Sequence, residues 1–205
     1  MSAGSMLLSI TAILVFCGLL QRVLDRMYLN DRQALLLIGL MLAGTFLPNL
    51  RFGWVEVNVG GALIPLAVCV YIWLKADTKK EKWRAIIGTV CTGGAITALS
   101  ALLPGEAEAL WIDPMWLYGL CGGAIAWITG RSRRAAFICG VAGVLLADVV
   151  NAIAIRIAGY ETQLTLGGAG IADAAVISGV LAVLLCEVLG EAIERLASGK
   201  RRRSI

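Results

Sequence analysis

Three polar residues stand where an apolar chain leaves little room for them. Asp148 and Asn151 lie in Leu145-Leu146-Ala147-Asp148-Val149-Val150-Asn151, and Asp173 follows Leu166-Gly167-Gly168-Ala169-Gly170-Ile171-Ala172. A carboxylate inside a bilayer costs on the order of 2.5–3.5 kcal/mol on insertion scales, so it marks a functional site by default. Asn151 follows Asp148 by three residues and shares its helical face. If Asp148 and Asp173 meet, desolvation and like-charge repulsion would let the pair share a proton. Three chemistries then compete. The leading one is a pair that binds a proton or cation and gates a pathway. The runner-up is a dyad that activates water for hydrolysis. In the third, each aspartate merely caps or hydrogen-bonds backbone at the glycine-rich break, as part of a non-catalytic scaffold.

Composition names the solvent around these residues. The chain has 205 residues, 59% hydrophobic and only 16% charged, with mean hydropathy +0.84. Soluble domains carry about 25% charge, so the surface expected here faces lipid. The absence of histidine removes Ser-His-Asp and Cys-His catalysis and the commonest zinc ligand. An enzyme is therefore the less favoured reading. Cys17, Cys69, Cys91, Cys121, Cys139 and Cys186 sit in apolar runs without a C-x-x-C pair, and read as small buried apolar residues. No metal or cofactor is implied. The net charge of +4 comes largely from basic clusters beside the apolar runs, a topology signal and not a nucleic-acid footprint. The expected partners are the bilayer and a small ion or solute, and oligomerisation is compatible with the sequence.

A crossing helix needs about 20 apolar residues, with a range of about 17–25. Seven stretches qualify: near Ser5–Leu20, Ala34–Leu50, Gly60 to Lys75, Ala85–Leu103, Pro114–Gly130, Ala135–Ala158, and Gly168 past Glu187. The first lacks a charged n-region and a cleavage site, and is expected to remain as a span. Lys and Arg crowd every second connection. Arg22, Arg26 and Arg32 follow span one, Lys75 to Arg84 follow span three, Arg131 to Arg134 follow span five, and Arg195 to Arg203 follow span seven. Positive charge marks the cytoplasmic side. The expected product is an all-α, polytopic protein of a prokaryotic inner membrane, N-terminus outside and C-terminus cytoplasmic. Glu187, Glu191 and Glu194 share a face and read as an amphipathic extension. Lys200 to Arg203 read as an anchor on anionic lipid.

An internal echo organises the single membrane domain, 1–205. Val55-Glu56-Val57-Asn58-Val59-Gly60-Gly61-Ala62 and Thr162-Gln163-Leu164-Thr165-Leu166-Gly167-Gly168-Ala169 both alternate like strands, turn on paired glycines and feed an inward helix. Aligning the Gly-Gly-Ala triplets sets Asp173 opposite Leu66 and Ala172 opposite Pro65. The expectation is two parallel three-helix repeats, about 5–74 and 114–192, joined by a linker helix at about 85–103 and followed by a basic tail at 195–205. The strand-like segments are expected as extended loops in preference to a paired ribbon. Asn58 is a candidate polar partner at the outer mouth, and Pro65 would free a backbone carbonyl one turn earlier.

Two resemblances bear on the site. Intramembrane aspartyl proteases place an aspartate directly after the second glycine of G-x-G-D. Here Ile171 and Ala172 intervene before Asp173, no Tyr precedes Asp148 and no Pro-Ala-Leu follows, so the catalytic role is not carried over. By contrast, Asn58-Val59-Gly60-Gly61-Ala62-Leu63-Ile64-Pro65-Leu66, Ala147-Asp148-Val149-Val150-Asn151 and Leu166-Gly167-Gly168-Ala169-Gly170-Ile171-Ala172-Asp173 together resemble an uncharacterised bacterial and archaeal membrane family, "domain of unknown function 1614". The likeness covers roughly Asn58 to Leu185 and departs at Ile171-Ala172, where that family would have Thr-Phe. It implies membership and the importance of the polar positions, and no reaction.

Overall fold

The computed structural model describes residues 31–102, 114–130 and 132–202, together with Gly18 and Gln21. The expected first span and the side chains of the basic tail lie outside the described residues. What is described is mostly helical: α1 (Asp31–Thr45), α2 (Ile64–Lys75), α3 (Lys79–Leu102), α4 (Pro114–Gly130), α5 (Arg133–Ile157) and α6 (Ala174–Arg202). Three short strands join them, β1 (Leu50–Phe52), β2 (Val55–Val57) and β3 (Leu164–Leu166). Among the described residues, α3 and α5 are long and apolar enough to cross a bilayer, whereas Leu35–Thr45, Val59–Lys75 and Ala174–Leu189 form shorter apolar helices.

The helix limits follow from local chemistry. Helix α5 starts because Ser132 accepts the Ala135 N–H on its hydroxyl at 3.1 Å, the usual N-cap bond. It stops at Gly159, φ +88°, where Gly159 N–H donates to Arg156 and Tyr160 N–H to Ile155. That pair of bonds is a Schellman ending. Helix α1 ends at Thr45 and not near Leu50, as expected from hydropathy. Pro48 supplies no N–H and disfavours helical backbone before it, and Leu50–Phe52 leaves the helix to become β1.

Helix α5 is the hub, packed on α2, α3, α4 and α6. Ala135, Ala136, Cys139, Val141 and Ala147 on it are fully buried. Small residues set the helix spacing: a Cβ on Gly140 would meet Gly179 backbone at 2.8 Å, and one on Gly143 would meet Thr92 at 2.7 Å. Close approach through glycine is the packing mode of helices in lipid, where no hydrophobic drive pushes them together. Many large apolar side chains meanwhile point outward, among them Leu36 and Leu40 on α1, Leu74 on α2, Ile87 and Val90 on α3, and Ile157 on α5. The cysteines do not all follow the buried expectation. Cys69 and Cys139 are buried, Cys121 and Cys186 half-buried, and Cys91 on α3 is exposed.

The glycine-rich segments do more than lead into helices. Strands β1 and β2 form an antiparallel hairpin, and β2 pairs in parallel with β3 in the register Val55↔Leu164, Glu56↔Thr165, Val57↔Leu166. The ribbon therefore forms, against the expectation of separate loops. Each strand has backbone groups that would otherwise go unpaired, and the partner strand supplies them. Beyond the strands the chains touch through glycine. A Cβ on Gly61 would strike the carbonyl oxygens of Gly167 and Gly170, and one on Gly170 would strike Thr45 of α1. After β2 the chain makes a π-helical turn, Val59–Leu63, capped by Asn58. After β3 it makes a 3-10 turn, Gly170–Ala172.

Candidate functional site

Asp173 sits between that 3-10 turn and α6, with extended backbone, φ −66° and ψ 150°. It is the N-cap of α6 and not a residue several positions inside a helix, as the sequence suggested. One carboxylate oxygen accepts the Ala175 N–H at 3.0 Å, and the other accepts the Ala169 N–H at 3.3 Å. The first N–H groups of a helix have no partner within it, and an aspartate can supply one. Gly170, φ +63°, turns the chain so that this capping is possible. The capping role weighed at the outset therefore holds for Asp173.

Asp148 lies nine residues before Ile157, the last residue of α5, or roughly 13 Å at about 1.5 Å per residue. It is half-buried and has no hydrogen-bond partner among the described residues. Two groups surround it electrostatically. The charge of Asp173 acts on Asp148, and the charge of Asp148 acts on the phenol of Tyr118 on α4. No hydrogen bond joins the two carboxylates, and the expected meeting of Asp148 with Asp173 goes no further here than the reach of one charge on the other. Tyr118 was not among the sequence candidates. Its only signal was its place in Trp116-Leu117-Tyr118 near a helix start, which reads equally well as an aromatic belt.

The two asparagines turn elsewhere. Asn151 donates to Ser100 of α3 at 3.0 Å, and Ser100 in turn donates to the Thr97 carbonyl at 2.8 Å. Asn58 is buried, accepts the Gly61 N–H at 2.9 Å and donates to Asn49 at 3.0 Å. Asn49 donates to Glu56 at 3.4 Å, and Glu56 pairs with Arg51 at 2.8 Å. Asn58 is therefore a structural cap tied into the hairpin. Neither asparagine hydrogen-bonds Asp148 or Asp173.

One turn inward the carboxyls and the phenol give way to small and apolar side chains and one buried hydroxyl. Gly122 on α4, Val144 on α5 and Ser178 on α6 lie about a turn from Tyr118, Asp148 and Ala174 along their helices and meet each other, a Cβ on Gly122 falling 2.7 Å from the Ser178 hydroxyl and 3.1 Å from Val144. Ser178 is fully buried and its hydroxyl has no partner among the described residues. Below it Phe137, Val141, Val180 and Val183 close the core. Two carboxyls and a phenol are oxygen groups suited to a proton or a hard cation. Among the described residues, no three of His, Cys, Asp and Glu cluster as metal ligands would.

Comparison with known proteins adds one match. The family model described as "protein of unknown function (DUF1614)" matches residues 26–185, so the chain belongs to that family. No curated protein and no solved structure matches it.

Proposed function

We propose that this DUF1614 member is an integral membrane protein of a prokaryotic inner membrane, a small transporter or channel whose paired carboxylates form a proton- or cation-responsive site. The reading is carried by two half-buried carboxylates, Asp148 on α5 and Asp173 at the start of α6, on helices that pack together beside a buried apolar core. An ionisable pair at the rim of a closed apolar plug is where protonation or cation binding could couple to opening. The hydrolytic alternative draws less support, because Asp173 already gives both oxygens to backbone N–H groups.

Charge distribution supports the seven-span topology, with the N-terminus outside. Arg32, Lys75, Lys79, Lys80, Lys82, Arg84, Arg133 and Arg134 occupy one set of helix ends, where Arg134 also meets Asp77 at 3.2 Å across the short connections. The opposite ends hold Arg51, paired with Glu56, and Arg156, stacked 4.8 Å over Trp54. Lys and Arg favour the cytoplasmic side. The parallel pairing of β2 with β3, each leading through glycines into a helix, supports two parallel repeats.

The test is flux in liposomes that hold the purified protein and a trapped pH-sensitive dye, under an imposed proton or potassium gradient. The expected result is flux above that of empty vesicles, lost in Asp148→Asn. No flux, or flux untouched by Asp148→Asn, overturns the reading.

A further inference from the structure

The start of α3 has two unlike faces. On one, Glu81 accepts the Ser132 hydroxyl at 3.0 Å and Arg134 bonds Asp77 at 3.2 Å, while Lys82 lies 5.2 Å over the Trp73 ring. These charges hold α2, α3 and α5 together. On the other face is a cleft of about 510 Å³ lined by Lys79, Lys80, Trp83, Arg84, Ile87 and Thr129, between α3 and the end of α4. Lys79, Lys80 and Arg84 are exposed and make no ion pair among the described residues. Trp83 is 65% exposed and Ile87 58% exposed. The cleft thus grades, within about two turns of one helix, from three uncompensated cations through an amphipathic indole to an apolar wall.

We propose that this cleft is a binding site for an anionic phospholipid, its phosphate held by Lys79, Lys80 and Arg84 and its acyl chain laid along Trp83 and Ile87. The argument is charge complementarity joined to polarity order. A soluble anion would satisfy the cations and leave Trp83 and Ile87 in water; an acidic protein segment would do likewise. A lipid matches both ends, because its own polarity runs the same way. Trp favours the headgroup level, and basic pockets between helices on the cytoplasmic side suit anionic headgroups. The site rests on the membrane placement proposed above and is independent of the aspartates.

The experiment uses the full chain in nanodiscs and reads the fluorescence difference between native protein and Trp83→Phe, which isolates Trp83. Brominated phosphatidylglycerol and brominated phosphatidylcholine are titrated separately into unbrominated phosphatidylcholine discs. Quenching of Trp83 at a mole fraction of phosphatidylglycerol well below that needed with phosphatidylcholine is expected. Each cation removed should weaken the preference about fivefold, from roughly 1 kcal/mol per basic residue near an anionic surface. Lys80→Gln is the mild variant and Lys79→Gln/Lys80→Gln/Arg84→Gln the full one, with Arg133→Gln, outside the cleft, expected to change nothing. Equal quenching by both lipids, or a preference undiminished in the mild variant and retained in the full one, overturns the headgroup assignment. Loss of the preference on adding millimolar inorganic phosphate overturns it in favour of a free-anion site. Quenching by neither lipid overturns the membrane placement itself, and so is told apart from failure of the headgroup assignment alone.

Discussion

Asp173 carries two roles that two substitutions separate. As a cap it needs an acceptor oxygen; as a partner of Asp148 it needs a charge. Asp173→Ala removes the bonds to Ala175 at 3.0 Å and Ala169 at 3.3 Å. Loss of an N-cap costs about 0.5–2 kcal/mol, and with both oxygens engaged the upper end applies. For a chain of this size roughly 2–4 °C of Tm accompanies each kcal/mol, so Asp173→Ala should lose about 4–8 °C. Asparagine caps about as well as aspartate through the Ala175 bond; its amide nitrogen cannot accept the Ala169 N–H, but that bond is exposed and water can replace it, so the main loss is the carboxylate's interaction with the helix dipole, about 0.3–1 kcal/mol. Asp173→Asn should therefore lose only about 1–4 °C by the same conversion. The assay is thermal unfolding in one detergent, followed by circular dichroism, alongside the liposome flux measurement. Both variants should lose gradient-driven flux, since both remove the charge that acts on Asp148. If Asp173→Asn melts as low as Asp173→Ala, the capping argument fails. If it keeps native flux, the carboxylate pair fails as a site.

The glycine contact and the buried hydroxyl give sharper structural tests. A Cβ on Gly61 would meet the Gly167 and Gly170 carbonyls, which are backbone and cannot swing aside. Gly61→Ala should therefore cost about 3 kcal/mol, the upper end for overpacking, or prevent folding, seen as lost monodispersity in gel filtration. Gly94→Ala, with nothing within 4 Å of the added carbon, should keep or raise Tm, because alanine is favoured over glycine by about 1 kcal/mol in a helix. A Gly61→Ala protein as stable as native would refute the packing of the two turns. Ser178→Ala removes a buried hydroxyl that has no partner among the described residues and so should be neutral or stabilising, by up to roughly 1 kcal/mol from the relieved desolvation. A fall of more than a few degrees in Tm would mean that the hydroxyl has a partner in the membrane.

Hydropathy made the helices legible where a breaker closed them. Helix α4 runs from Pro114 to Gly130 and α5 from Arg133 to Ile157, within two residues of expectation. Helix α3 begins at Lys79, six residues before its apolar run, because Thr78 caps it by accepting the Glu81 N–H at 3.3 Å. Charged residues with long stems extend a helix beyond its apolar run at little cost, and a hydropathy window cannot see them. The alternation of Val55–Val57 and Leu164–Leu166 announced β2 and β3. Nothing local announced β1, since Leu50 and Phe52 look like the tail of an apolar run. Nor was the pairing legible, because a parallel register is set by partners about a hundred residues apart.

The site was legible in its charges and not in its geometry. A carboxylate in an apolar run is visible to anyone counting; which neighbour its face meets is not. Asn151 and Asp148 are three residues apart, yet α5 packs on four different helices, so the angular offset lets Asn151 bond Ser100 on α3 while Asp148 makes no hydrogen bond among the described residues. Asp173 shows the same dependence on distant parts. Its N–H is held by the Gly170 carbonyl at 3.0 Å, and that carbonyl is one of the atoms against which Gly61 packs. Gly61 in turn donates its N–H to Asn58. The position of the second carboxylate is thus fixed through the turn that opens α2, in the other half of the chain. A side chain larger than hydrogen at Gly61 would displace Gly170 and, with it, the cap and charge of Asp173, so the glycines that look like packing residues are positioning residues for the site.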